Sequence, residues 1–142
     1  MPPTPRNDER AEPDGHVALL PAAPASATTA RHLVRRLFPA SATADQRATA
    51  ELLTTELVAN AVVHARTPCR LRLSCPRDGV LRVEVSDRAA GMPTVQDIGP
   101  SELDGRGLQL VDALATQWGI TRSTPAEKTV WFETPCRRAA GP

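Results

Sequence analysis

From Cys69 onward the apolar residues recur at every second position, and this alternation limits the fold more than any other feature of the chain. Leu71, Leu73 and Cys75 fall on one side, and Arg70, Arg72 and Ser74 on the other. Asp78-Gly79 is a hairpin turn signal, after which Leu81, Val83 and Val85 alternate with Arg82, Glu84 and Ser86. Two such strands, oily on one side and wet on the other, require an antiparallel sheet covered by helices on a single face. That is a two-layer α/β arrangement.

Upstream of Cys69 the period is helical. Ser26 is placed to cap a first helix with Ala27, Ala30, Leu33, Val34 and Leu37 on its apolar side and Arg31, Arg35 and Arg36 toward water. Pro39 ends it, and a long second helix is expected from about Ala44 to Ala65. His16 to Leu20 reads as a short edge strand stopped by Pro21. Downstream, a loop with Gly91, Pro93, Gly99 and Pro100 precedes a helix from about Gly107 to Thr116. Closing strands follow near Trp118 to Arg122 and Lys128 to Glu133. Residues 1–15, rich in Pro and charge, are expected to be a disordered arm, 16–134 the folded domain, and 135–142 a flexible tail, with fraying from about Thr134.

Composition excludes several function classes. The 142 residues suffice for one domain with a real core. A net charge of +1 gives no field toward nucleic acid, so no direct nucleic-acid contact is expected. No apolar run approaches the ~20 residues of a membrane span, and the first residues lack a signal-peptide core, so no membrane partner and a cytoplasmic location are expected. Cys69, Cys75 and Cys136 are odd in number and lack zinc-site spacing. A Cys–His hydrolase would need a glycine-framed nucleophile turn that neither Cys69 nor Cys75 has. Lys128 is the sole lysine, which rules out a Gly-x-x-x-x-Gly-Lys phosphate loop.

Within the second helix Glu56, Asn60 and His64 recur at intervals of four and so form one polar stripe. The remaining positions, Leu52, Leu53, Leu57, Val58, Ala59, Ala61, Val62 and Val63, are apolar almost all round, as in a helix enclosed by neighbours. Polar groups in such a place cost about 1–3 kcal/mol each when unpaired. Either other side chains satisfy the stripe or a ligand does. Two further segments stand out: Val-Glu-Val-Ser-Asp-Arg-Ala-Ala-Gly-Met-Pro at 83–93 and Asp-Gly-Arg-Gly-Leu-Gln-Leu-Val at 104–111. Singly, each has an ordinary explanation as a turn or a tight loop.

Together and in this order, the three segments resemble the nucleotide-binding domain of the GHKL superfamily. Within it they look like the single-domain, histidine-kinase-like ATPases of the anti-sigma-factor serine/threonine protein kinase type. The likeness covers roughly residues 16–134. Residues 56–65 match the asparagine box, Asp87 to Gly91 the first glycine box, with Ala89 where a middle glycine is common, and Gly105-Arg106-Gly107-Leu108 the second; Lys-Thr-Val-Trp-Phe-Glu at 128–133 matches the closing strand.

The resemblance implies the Bergerat ATP-binding fold, a two-layer α/β sandwich with a mixed, mostly antiparallel sheet and helices on one face. It also implies a role for each group. Asn60 gives its amide oxygen to Mg²⁺, and Glu56 acts as the base for an attacking hydroxyl. His64 lies near the phosphates, and Asp87 takes the adenine amino group with support from Thr129. Gly91, Gly105, Gly107 and Leu108 shape the pocket, and Arg106 reaches the phosphates. The implied cofactors are ATP and Mg²⁺, and the implied partners are a sigma factor, an anti-anti-sigma protein and a second copy of the chain in a homodimer. The alternative is a nucleotide-binding module that grips its partner without turnover. An ordinary two-component histidine kinase is not expected, because no sensor or phosphoacceptor histidine is recognisable.

Overall fold

A computed structural model describes residues 15–64, 66–88, 103–124 and 126–137, with backbone only at 103–106 and 123–124. The chain runs β1 (His16–Leu20), α1 (Ala25–Leu37), α2 (Ala44–His64), β2 (Cys69–Arg77), β3 (Val80–Asp87), α3 (Leu103–Leu114), β4 (Gln117–Thr124) and β5 (Glu127–Pro135). The five strands form one sheet in the order β1-β2-β3-β5-β4. Every neighbouring pair is antiparallel, so the described sheet has no mixed character. The expected edge strand is β1, and Gly79, with φ of 81°, makes the β2–β3 turn as Asp78-Gly79 foretells.

The registers Leu71↔Val85, Val83↔Phe132 and Val85↔Val130 put these residues on one face, where all are buried against the helices. The opposite face is polar. There Arg82 stacks on the Trp131 ring, 3.9 Å from its centroid, and Glu133 accepts from Arg77 and Arg82 at 2.7 and 3.0 Å. Ser74 keeps its expected outward place opposite Arg82, though it is buried there; beyond it β2 changes register before Arg77, and Cys75 is only half-buried.

The start of α1 differs from expectation. Ser26 does not cap α1: Pro24 holds the cap position, and the Ser26 hydroxyl, already inside the helix, donates to the Pro21 carbonyl at 2.6 Å. At α2 a reciprocal capping box does the work, with Gln46 N–H to Thr43 Oγ1 and Thr43 N–H to Gln46 Oε1, both 3.0 Å. The helices are then clamped to each other. Arg35, exposed as expected, also forks onto the buried Glu51 carboxylate at 3.1 and 2.9 Å.

Nor is α2 enclosed all round. Leu52 is 40% and Val63 52% exposed, because three helices on one face of a sheet cannot surround any one of them. The tail from Thr134 is not frayed at its start: Thr134 and Cys136 are 3% and 2% exposed, and the Cys136 amide donates to the Gly79 carbonyl. Among the described residues no helix is long and apolar enough to cross a membrane. The expectations for 1–14 and 138–142 lie outside the described residues.

Candidate functional site

The polar stripe of α2 divides in two. Glu56 and Asn60 are half-buried, and His64, at the helix end, is exposed. His64 has an interaction partner, whereas among the described residues neither the Glu56 carboxylate nor the Asn60 amide bonds to any side chain or backbone group. Two polar groups one helical turn apart are thus held without partners beside a packed core. Among the described residues nothing else satisfies them, and, half-buried, both stay open to solvent or a ligand.

What the chain does provide is close approach. Gly107 of α3 lies against Asn60: a Cβ at Gly107 would sit 2.8 Å from Asn60 Nδ2 and 3.4 Å from its Cγ and Oδ1. A Cβ at this position would force the Asn60 amide to move, whereas glycine leaves it in place. Leu108, next in sequence, is 2% exposed and anchors α3 in the core with Val111. The helix begins earlier than its sequence suggests, at Leu103 rather than after Gly107. Among the described residues, the amides lacking an intrahelical acceptor are therefore those of 103–105, which include Gly105 but neither Arg106 nor Gly107. Gly91 and the Arg106 side chain lie outside the described residues.

Asp87 ends β3 on the helix-facing side of the sheet and is 4% exposed. Its carboxylate receives both oxygens' bonds from the Lys128 ammonium, at 2.6 and 2.8 Å. The thiol of Cys69, one strand over, is pushed up to about 11, by burial first and then by the Asp87 charge.

Thr129 does not support this aspartate. The register pairs Asp87 with Lys128 and Ser86 with Thr129, so Thr129 turns to the opposite face, where its hydroxyl and that of Ser86 are 2.6 Å apart. The supporting residue is Lys128, and the strand period could have found it. With Val130 and Phe132 inward, the position two before Val130 is inward as well.

A family model described as the histidine kinase-like ATPase domain matches residues 20–134. Among solved structures, the chain is similar to the RsbU and RsbW domains of Rv1364c from Mycobacterium tuberculosis, with 21% identity and a TM-score of 0.62. That match covers 89% of this chain and 34% of the other, so the chain spans about a third of the protein it resembles, and the likeness is one of fold. No curated protein gives a significant match.

Proposed function

The chain belongs to the histidine kinase-like ATPase domain family, and from that premise we propose that it binds ATP with Mg²⁺ in the cytoplasm. There it acts as an anti-sigma factor with serine/threonine protein kinase activity toward an anti-anti-sigma partner. The observation that carries this reading is the pair of unsatisfied groups on α2, a carboxylate and a carboxamide one turn apart, with the glycine of α3 pressed against the carboxamide.

The donor set suits the cation. Among the described residues no three His, Cys, Asp or Glu side chains cluster, whereas Mg²⁺ takes one or two protein oxygens and fills its shell with water and phosphate oxygens. Asn60 Oδ1 is the oxygen in place for it. Bound there, Mg²⁺ would neutralise charge on the phosphates. Glu56 then orients the attacking serine hydroxyl of the partner and takes its proton as the γ-phosphoryl group passes to that oxygen and ADP leaves. Asp87 receives the adenine amino group. The first-turn amides of α3, including Gly105, face the phosphates with the positive end of the helix dipole. His64 and Arg106 border the phosphate end.

The test is phosphate transfer from labelled ATP to candidate anti-anti-sigma proteins copurified with the chain. Wild type is expected to transfer label, and Glu56→Ala to lose at least about 10²-fold in rate while still binding nucleotide, the usual contribution of a general base. Binding without transfer or hydrolysis in the wild type would leave only a binding module.

A further inference from the structure

At the turn end of the sheet, away from Asp87, two of the three cysteines meet. Cys75 lies where β2 changes register, between the Ser74↔Arg82 and Arg77↔Val80 pairs. Cys136 follows Pro135, the last residue of β5, and its amide donates to the Gly79 carbonyl at 2.9 Å, which draws the chain in beside the β2–β3 turn. Both side chains border one cavity of about 300 Å³, together with Pro39, Asp78 and Gly79. Both are free thiols, and they share a hydrogen bond.

Contact between two thiols is an ordinary way to fill a corner, but here it comes with access and with slack in the backbone. Cys75 is half-buried, so a small solute reaches it from the cavity, whereas Cys136 is 2% exposed. A disulfide needs the sulfurs to close to about 2.05 Å. Cys75 stands in the stretch of β2 that has no ladder partner, and Cys136 lies past the end of β5, so both segments can shift without breaking a strand pair. The Cys136 thiol is pushed up to about 11, by burial first and then by the charge and hydrogen bond of Cys75, which leaves Cys75 to react first. Cys69 starts β2, six residues or about 20 Å of strand away from Cys75, and takes no part.

We propose that Cys75 and Cys136 form a reversible disulfide, a peroxide-responsive latch that joins β2 to the end of β5. The Cys75 thiolate attacks one oxygen of a hydroperoxide; the O–O bond breaks, an alcohol or water leaves, and the sulfur becomes a sulfenic acid. Cys136 then gives up its proton and attacks that sulfur, the S–S bond forms, and water leaves. Two thiols lose two electrons and one hydroperoxide gains them. A dithiol reductant reverses the step by exchange. The Arg137 carbonyl accepts from Gln46 of the α2 capping box at 3.0 Å, so the latched chain end also reaches the start of α2. This device is independent of the nucleotide reading, since Asp87 closes the opposite end of β3.

The experiment is peptide mapping of the full chain after treatment with excess hydrogen peroxide under native conditions, with and without later dithiothreitol. Two of the three thiols are expected to disappear into a single Cys75–Cys136 cross-link and to return on reduction, with Cys69 still alkylated after unfolding. The oxidised chain is expected to show a higher urea midpoint, as a cross-link restricts the unfolded state. Cys136→Ser is expected to leave Cys75 as a sulfenic acid that dimedone traps, and Cys75→Ser to leave Cys136 reduced. Survival of all three thiols, a cross-link to Cys69 or between chains, or sulfinic acid at Cys75 without a cross-link overturns the proposal. A Cys75–Cys136 cross-link that does not raise the midpoint overturns the latch. Should a serine variant not fold, the wild-type map and midpoint decide.

Discussion

Gly107 and Asn60 show how one missing methyl group can matter to function more than to folding. Alanine is the better helix former by about 0.8–1.0 kcal/mol. Its Cβ, however, would meet the Asn60 amide nitrogen at 2.8 Å, the end of a side chain that can shift. Gly107→Ala should therefore change unfolding free energy by no more than about 1 kcal/mol in either direction. It should weaken nucleotide binding at least about tenfold, or ~1.4 kcal/mol, because the displaced amide no longer meets its ligand. Urea unfolding and calorimetry on the same variant separate the two effects. At this scale the sequence was legible where spacing alone decides, as in the Glu56–Asn60 step. It was less so where a motif and a period compete: Thr129 fits the motif, but the strand alternation turns it outward and brings Lys128 to Asp87.

The sheet is where elements are held by their outer faces. Trp131 lies between Arg82, 3.9 Å from the ring centroid, and Gly119 on β4, whose added Cβ would meet three ring atoms at 2.9–3.0 Å. A ring anchored on one side by a guanidinium that also bonds Glu84 and Glu133 has little room to yield. Gly119→Ala is expected to destabilise the fold by about 1–3 kcal/mol, the usual cost of overpacking, read as a lower urea midpoint. Strand existence and the β2–β3 turn followed from alternation and from Asp78-Gly79. The register change near Cys75 did not, because a bulge depends on how the partner strand is met and not on the strand's own pattern. The early start of α3 is of the same kind: two glycines argue locally against helix, and packing of Leu108 and Val111 into the core overrides them.

Across the whole molecule, two buried carboxylates tie the layers to their charge state. Glu51 joins α1 to α2, and its carboxyl lies below the ordinary 4.5 mainly through the Arg35 hydrogen bonds, which outweigh burial. Glu133 joins β5 to the polar face; burial is the largest influence and pushes its carboxyl up, but the hydrogen bonds from Arg77 and Arg82 together bring it below 4.5. Both folded values are depressed, so both contributions are complete above the unfolded value and are lost as pH falls through the folded ones. The urea midpoint should hold from neutrality to about pH 5 and drop below pH 4.5, and Glu51→Gln with Glu133→Gln should flatten that drop.

The central claim is that a magnesium nucleotide meets the unsatisfied Glu56 and Asn60 of α2. The direct measurement is calorimetric titration with a non-hydrolysable ATP analogue in Mg²⁺. A saturable one-to-one heat, weakened at least about tenfold by Asn60→Ala and by removal of the metal, is the expected result, matching loss of one charge-assisted contact of about 1.5–3 kcal/mol. No heat at saturating analogue, or binding indifferent to Asn60 and to the metal, would contradict it.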